Sequence, residues 1–450
     1  LKYMDDYDEA FKNWRGTVDR LPFIPEAFQY KPKGGRGKKQ LSAILKLIKD
    51  KSVTEIVNAC DAAREGELIF RTILEHSKVK TPTTRMWMQS MTYDAMLSAF
   101  ETRKSGEDYR ALSDAAYSRS QADWIIGMNG SRIATRLPQN RDRSANSLGR
   151  VQTATLALVV DHELEVLSHV PVPYWQLNAT FSAGDARWTG RWQRNGHKDD
   201  PERPEYKAHR IMDPTEKEAI ESVLNGDGPF TAEETSRTKK EQPPLNFDLT
   251  TLQRRANSLF SWSAKRTLGV AQDLYDRFKL TTYPRTDSKH LPEDMHETVA
   301  NTIEKLSSIG DYTPHARRLQ NNGLSNAKRN FNNAKVSDHY AIVPTGQTPP
   351  ANLSGDHAKL FDLIARNFLA SWHPPSEWTV TKRTASKSGH TFVKDVEALS
   401  VQGWLSVVPK KDKIPEGWGA LPSNPCEASL TAHEFSEELS KPKNRLKEAS

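Results

Sequence analysis

Strand-like alternation of apolar and polar residues occurs in two parts of this 450-residue chain that lie far apart in sequence. It is clear at 174–181 and 188–192, and it returns at 378–400. Side chains of a strand point alternately to opposite faces, so this period is typical of strands with one buried face. Residues 170–240 are therefore predicted to be β-rich, with a short helix at 214–224. We expect a β-rich unit that the chain leaves and later re-enters.

Helical spacing of apolar residues predicts most of the remaining structure. Residues 1–40 are expected to form a helix followed by a loop, 53–60 a buried strand, and 92–165 a mostly helical region. The other predicted helices lie at 40–48, 68–76, 154–167, 247–260, 264–278, 292–308 and 357–371. This pattern predicts a multidomain chain that combines α/β, helical and β-rich parts, and a length of 450 residues suggests two to four domains.

The segment 282–288 combines a phenol with a permanent cation. Pro284 pushes Tyr283 into an extended conformation, in which Tyr283, Arg285 and Asp287 share one face. A free phenol has a pKa of about 10, and a nearby guanidinium stabilises the phenolate and can hold a phosphate oxygen. These residues suit nucleophilic attack by tyrosine on a phosphate. A packed strand tyrosine followed by a turn is the alternative interpretation.

Two acids and a histidine are further candidates for chemistry. Asp61 and Glu65 follow the predicted strand at 53–60, where open α/β sheets bind ligands, and they could hold Mg²⁺. An acidic helix N-terminus stabilised by the helix dipole is an equally good explanation. His339 lies between Asp338 and a short apolar run, although a single histidine usually has a structural role.

A candidate anion site precedes the helix predicted at 154–167. Ser147, Gly149, Arg150, Gln152 and Thr153 place a glycine and several hydrogen-bond donors at a helix start. Such positions bind phosphate groups well. An ordinary helix start with an exposed arginine remains the alternative, and 138–144 is expected to be a loop.

Composition excludes several classes of protein. No run approaches the roughly 18 apolar residues of a membrane span, and two distant cysteines provide neither a disulfide framework nor zinc-ligand spacing. The net charge of +7 permits a nucleic-acid partner. The basic stretches 31–39 and 317–335 are predicted to be solvated loops, and the first could also contact phosphates.

Four motifs together resemble the type IA DNA topoisomerases, in particular the bacterial topoisomerase III branch. They are ACDAAREGELIFR, SLGRVQTATLALVV, the long segment from FDLTTLQRRANSLF to TTYPRTDS, and SDHYAIVPT. Each motif alone is weak or moderate, but four in this order are highly specific. The resemblance covers nearly the whole chain.

The resemblance implies a role for each candidate residue. Tyr283 would be the nucleophile that forms a 5′-phosphotyrosyl link to single-stranded DNA without ATP, with catalytic help from Arg285, His339 and Glu65. Ser147, Arg150, Gln152 and Thr153 would contact DNA. Asp61 and Glu65 would bind Mg²⁺ in a Toprim motif.

The resemblance also implies a fold, in which a Toprim α/β domain, helical domains and a β-rich arch form a torus. The expected domains are a partial Toprim domain (1–103), a first helical part (104–168), a first arch part (169–241), a helical domain with the tyrosine (242–345), a second arch part (346–411) and a second helical part (412–450).

Further expectations concern partners and activity. The family implies single-stranded regions of negatively supercoiled or catenated DNA as substrate, a monomer, a helicase as an additional partner, and a cytoplasmic, nucleoid-associated location. Ala63 stands where the motif commonly has a second acid, so we expect weaker or rearranged metal binding. The family's N-terminal Toprim strand has no counterpart here, which suggests a truncated chain that binds DNA but cleaves poorly. A non-catalytic DNA-binding protein and a different Toprim enzyme, such as a nuclease, are the competing functions.

Overall fold

A computed structural model describes residues 1–13, 16–32, 34–89, 92–137, 144–410 and 414–449. No helix among these residues is long and apolar enough to cross a membrane.

The start of the chain differs from the prediction of a helix within residues 1–40. The described residues before Arg36 form only three short 3-10 turns, at Met4–Asp6, Glu9–Lys12 and Val18–Arg20. Pro22 and Pro25 lack the backbone N–H that a continuous helix needs. The segment is instead held by its apolar side chains, which pack around Trp124.

A small α/β unit follows. Its elements are α1 (Arg36–Ile48), β1 (Ile56–Asn58), α2 (Arg64–Ser77), β2 (Thr83–Arg85), α3 (Tyr93–Glu101) and β3 (Lys104–Ser105). Strand β2 is central, parallel to β1 and antiparallel to β3. The strand predicted at 53–60 shrinks to three residues, because only three pair with β2. Helix α2 begins four residues before its predicted start at 68, so Glu65 lies in its first turn.

Two long helices come next, α4 (Arg110–Arg136) and α5 (Arg150–Leu167). They confirm the helical region predicted between 92 and 165. Helix α5 begins earlier than the predicted 154, so Arg150, Gln152 and Thr153 lie in its first turn. Most of the loop expected at 138–144 lies outside the described residues.

The β-rich unit is a closed barrel, and it confirms the split predicted from alternation. Its strands are β4 (Pro173–Ala183), β5 (Ala186–Gln193), β6 (Phe230–Glu241), β7 (Ser376–Lys387), β8 (His390–Val401) and β9 (Cys426–Leu439), in the order β4-β5-β8-β7-β6-β9. Helix α6 (Pro214–Asn225) interrupts the first part, close to the predicted 214–224. The interior contains Phe181, Trp188, Phe230 and Phe392.

The helical part predicted at 412–450 is wrong for Cys426–Leu439, which form a strand. Strand β9 occupies 14 of these residues and pairs with β4 and with β6, which closes the barrel. Its outer face is solvated, and its one fully buried residue is the small Ala428, so the sequence shows no clear apolar alternation. Backbone hydrogen bonds to two strands, rather than hydrophobic pattern, determine this conformation. The start of the second arch part at 346 is also wrong, because Gly355–Trp372 form a helix that packs in the core of the second helical body. The other domain boundaries stay predictions.

The second helical body contains α7 (Leu249–Phe260), α8 (Ala264–Asp276), α9 (His296–Leu306), α10 (Thr313–Asn322), α11 (Ala327–Asn330) and α12 (Gly355–Trp372). The solvated loop predicted at 317–335 is therefore wrong in part. Asn330 is fully buried, and its amide donates to the carbonyls of Ser371, at 3.0 Å, and Asn326. A buried amide needs such partners, so the fold uses this asparagine as a core residue.

Candidate active site

The candidate nucleophile lies on an extended segment that is fastened to a second one. Thr282 N donates to Val343 O at 3.0 Å, and the Thr282 hydroxyl donates to Ala341 O and accepts from Val343 N. The Thr286 hydroxyl donates to His339 O at 2.7 Å. We call this pair of segments, 280–288 and 337–345, the tyrosine ribbon. Its buried hydroxyls add to the few backbone hydrogen bonds between the two segments and help to hold them in register.

Burial along the tyrosine ribbon alternates as the sequence predicts. Thr282, Pro284, Thr286 and Ser288 are buried, whereas Tyr283 is half-buried and Arg285 and Asp287 are exposed. The phenol, the guanidinium and one carboxylate therefore lie on the accessible face. The Arg285 side chain has no polar partner among the described residues, which leaves its donors available for an anion.

Tyr283 contacts two rings. Its ring centroid lies 4.5 Å from that of His339 and 5.3 Å from that of Tyr275, the latter edge to face. The interaction with Tyr275 is typical of aromatic pairs and restricts the phenol ring. The sequence prediction that Tyr283 and His339 act together is consistent with this contact.

His339 also reaches the α/β unit. Its Nε2 lies 3.7 Å from the Asp61 carboxylate, and both side chains are partly exposed. Gln89 strengthens the same junction, because its amide donates to the carbonyls of Val336 and Ser337. Tyr283, His339 and Asp61, which are distant in sequence, thus form one site.

A buried ionic network shapes the loop that carries Asp61. Arg85 is 1% exposed and donates to the carbonyls of Cys60 and Asp61 and to the Asn58 side chain. Glu67, equally buried, lies 3.5 Å from Arg85 Nε and accepts from Asn58. Burial lowers the pKa of Arg85, and the Glu67 carboxylate opposes this shift. The network binds backbone carbonyls of the loop, so it holds the Asp61 side chain at the surface.

Gly66 is required by a close approach of backbone to backbone. A Cβ at this position would lie 2.2 Å from Asp61 O and 2.8 Å from Asp61 N. A contact this short cannot be accommodated without movement, so Gly66 lets the first turn of α2 pack directly against the Asp61 loop.

Glu65 faces a different neighbour. It lines a small cavity with Arg64, Arg119 and Asp123. Arg150 Nε donates to the Asp123 carboxylate, and this bond lowers the pKa of Asp123. Glu65 and Arg150, predicted for metal and DNA, are therefore connected through Asp123.

The other predicted DNA contacts lie around the start of α5. The Thr153 hydroxyl accepts from Gly149 N at 3.1 Å, so it caps the helix start. Ser147 and Gln152 are exposed. Arg150, Ser147 and Gln152 remain accessible to a ligand, whereas Thr153 already has a structural role.

The acids present fit a Mg²⁺ ion that keeps part of its water shell. Burial raises the pKa of Asp338, and the carboxylates of Asp287, Glu65 and Asp61 raise it further, so negative charge concentrates here. Among the described residues no three acidic, histidine or cysteine side chains are grouped as metal ligands. Mg²⁺ is commonly held by one or two carboxylates plus water and substrate phosphate, and Asp61 and Glu65 supply the residue type that this pattern needs.

Sequence reasoning missed the supporting residues. Tyr275 packs on the nucleophile, Asp338 shares the acidic environment, and Glu67 with Arg85 supports the Asp61 loop. Asp338 is adjacent to His339, and Glu67 lies two positions after Glu65. These positions were the available sequence signals. Without the fold, neither position shows whether the acid belongs to the site or lies on a solvated surface.

The chain is similar to known proteins over most of its length. The family described as DNA topoisomerase matches residues 107–450. The chain is 37% identical over 405 residues to DNA topoisomerase 3 of Shouchella clausii, which covers 89% of this chain and 52% of that protein. It is 35% identical over 413 residues to DNA topoisomerase 3 of Bacillus subtilis, covering 92% of this chain and 54% of that protein.

Among solved structures, full-length topoisomerase I from Thermotoga maritima superposes with a TM-score of 0.64. The match has 23% sequence identity and covers 95% of this chain and 68% of that one. The two proteins therefore share a fold. The chain spans about half the length of the curated relatives it matches.

Proposed function

The chain belongs to the type IA DNA topoisomerase family, and from this premise we propose that it cleaves and rejoins one DNA strand through Tyr283. One observation carries the proposal. The Tyr283 ring contacts the His339 ring at 4.5 Å, and His339 lies 3.7 Å from Asp61 of the α/β unit. The candidate nucleophile, the imidazole of His339 and the acidic loop thus lie at one accessible place.

The reaction exchanges one phosphodiester for another. The Tyr283 Oη attacks the phosphorus, an O–P bond forms, and the bond from phosphorus to the 3′ oxygen breaks. The phenol proton passes to solvent, and the departing 3′ oxygen takes up a proton. The strand stays linked to Tyr283 through its 5′ phosphate, so its bond energy is retained and the reverse attack by the 3′-hydroxyl rejoins it without ATP.

Charge around the phosphate is the main catalytic requirement. Arg285 has free donors on the tyrosine face, and the His339 ring can donate to a phosphate oxygen. Asp61 and Glu65 would hold Mg²⁺, which when bound supplies further positive charge near the phosphate. The Asp61–His339 contact then couples the acidic loop to the position of the imidazole.

DNA would approach along the start of α5. Arg150 is paired with Asp123, and because the two side chains are 39% and 47% exposed this pair costs little to exchange for a phosphate. Ser147 and Gln152 are proposed to position the same strand, and Thr153 is proposed to act there by fixing the helix start that presents them. We propose single-stranded regions of negatively supercoiled or catenated DNA as substrate, a monomeric enzyme associated with the nucleoid, and a helicase as an additional partner.

The covalent step is tested on a denaturing gel. A labelled single-stranded oligonucleotide is incubated with the chain and Mg²⁺, next to Tyr283→Phe and the matched control Tyr206→Phe in the segment between β5 and α6. A slow, protease-sensitive band that is absent only in Tyr283→Phe supports the proposal. Free cleaved ends without attached protein indicate a nuclease, and DNA binding without any cleavage indicates a binding module.

The metal role has its own measurement. Thermal unfolding is followed while Mg²⁺ is added to wild type, Asp61→Asn, Glu65→Gln and the control Asp185→Asn, on a barrel turn. A ligand that binds the folded state raises its melting temperature. We expect Mg²⁺ to stabilise wild type and the control but neither site variant. Equal stabilisation of all four proteins would contradict this assignment.

A further inference from the structure

A cavity of about 890 Å³ lies between α7, α12 and the segment after β8. Its walls include Arg254, Arg255 and Leu259 of α7, Arg366 of α12, and Trp404 and Lys410. None of these residues takes part in the transesterification described above. The volume falls in the range of sites for small organic ligands.

The cavity has an excess of positive charge. Four cationic side chains line it, and Asp362 is the one carboxylate among the described lining residues. Lys410 is paired with the Glu241 carboxylate just outside the lining, so the excess of positive charge comes from the arginines. Asp362 is already held by Arg366 Nε at 2.9 and 3.0 Å. Arg255 is exposed and has no polar partner in the part of the chain that the structure describes. At least one guanidinium is therefore available to bind an anion.

The opposite walls are apolar and partly accessible. Leu259 is 48% exposed, and Phe260, Leu363 and Val408 are half-buried along the same cavity. Lys410 lies 5.3 Å from the centre of the Trp404 ring, so a cation and an aromatic face meet at one end. A small inorganic anion would leave these apolar surfaces in water.

We propose that this cavity binds an aromatic ring that carries a phosphate, the chemistry of a nucleotide. The ring would occupy the apolar wall formed by Leu259, Leu363 and Val408. The phosphate would be bound by Arg255, with Arg254 at its side, although Arg254 Nε already donates to Ala449 O at 2.7 Å. A free nucleotide and a nucleotide within a DNA strand share this chemistry.

The cavity adjoins the backbone that supports the tyrosine ribbon. Phe247 lines it, and the Phe247 carbonyl accepts from Ile342 N at 2.8 Å. Leu249, at the start of α7, donates its N–H to Thr286 O at 3.0 Å. The site is thus separate from Tyr283 but shares a wall with the structure that holds it.

Equilibrium dialysis of the whole chain against deoxyadenosine monophosphate tests the proposal. Variants are Arg255→Gln and Leu259→Asp, with Arg187→Gln, an exposed barrel arginine, as the matched control. We expect Arg255→Gln and Leu259→Asp each to weaken binding about tenfold, as loss of a charge-assisted contact or of apolar contact would, and the control to bind like wild type. Inorganic phosphate and deoxyadenosine should each bind about tenfold more weakly than the nucleotide.

Other outcomes overturn the inference. Equal affinity of wild type and Arg255→Gln for the nucleotide would contradict the proposed site. Equal affinity of the wild type for inorganic phosphate and for the nucleotide would contradict its specificity for a ring. Competition by a short oligothymidine identifies a DNA strand as the natural source, and its absence identifies a free nucleotide. The adduct gel depends on Tyr283 and this binding on Arg255, so either proposal can fail alone.

Discussion

The tyrosine ribbon and the Asp61 loop present reactive side chains by different physical means. The tyrosine ribbon is held by neutral hydroxyls, with Thr282 and Thr286 bonded to backbone carbonyls of the opposite segment. The Asp61 loop is held by buried charges, Arg85 and Glu67, which are both 1% exposed. Neutral hydrogen bonds each contribute modestly, whereas a buried charge that loses its partner is costly. The acidic loop should therefore be the more fragile half of the site.

Arg85→Met should have the largest effect, because it removes one of the two cations beside the buried Glu67 and frees the carbonyls of Cys60 and Asp61, while Arg71 stays paired with Glu67 at 2.7 Å. We expect the free energy of unfolding to fall by about 3 kcal/mol, measured by urea denaturation, mainly because buried carbonyls lose their donor. The contrasting variant is Arg103→Met, which breaks a more exposed pair with Glu55 and should cost about 1 kcal/mol or less. Equal losses in the two variants would refute the distinction between buried and exposed pairs.

Gly66→Ala should rank second, since its Cβ would meet Asp61 O at 2.2 Å. Overpacking of this kind costs roughly 1–3 kcal/mol and should displace the Asp61 loop from His339. Gly269→Ala in α8 is the control, because its Cβ meets nothing within 4 Å. Urea denaturation and Mg²⁺-dependent adduct formation of both variants would be compared, and a normal adduct yield from Gly66→Ala would argue against the close approach.

Acid should weaken the helical body that carries the tyrosine ribbon through His373. This histidine is fully buried, and burial lowers its pKa to about 4. The unfolded chain takes up a proton near pH 6.5 whereas the folded protein does not, so stability falls as pH drops from about 6.5 towards 4. Between pH 7 and 5 the loss is roughly 2 kcal/mol.

The measurement is urea denaturation at both pH values for wild type, His373→Leu and the exposed control His433→Leu. His373→Leu should lose less stability between the two pH values than wild type does. The control should keep the wild-type dependence, and an unchanged slope in His373→Leu would place the acid sensitivity elsewhere.

Thr286→Val should have the smallest effect of the four. It removes the donor to His339 O and the acceptor for Ser288 N, which costs about 1–2 kcal/mol. Thr231→Val, at an exposed barrel position, should change the unfolding free energy by less than about 0.5 kcal/mol. A loss as large as that of Arg85→Met would show that the hydroxyls of the tyrosine ribbon are as critical as the buried charges.

The sequence by itself determined the local chemistry. Pro284 and the alternation of 282–288 predicted that Tyr283, Arg285 and Asp287 share a face, because extended backbone has a period of two. Alternation also predicted a β-rich unit divided between 170–240 and 378–400. Helix periodicity located α7, α8 and α12 within a few residues.

Tertiary structure decided the features that no local pattern in the sequence encodes. Strand β9 has a solvated face and gains its conformation from hydrogen bonds to β4 and β6, so its polar sequence suggested no strand. Asn330 is by residue type typical of a loop, but in the fold its amide donates to the carbonyls of Ser371 and Asn326. The contact between His339 and Asp61 joins residues almost 280 positions apart. Periodicity reports only local geometry, whereas pairing between distant segments depends on the free energy of the whole packed chain.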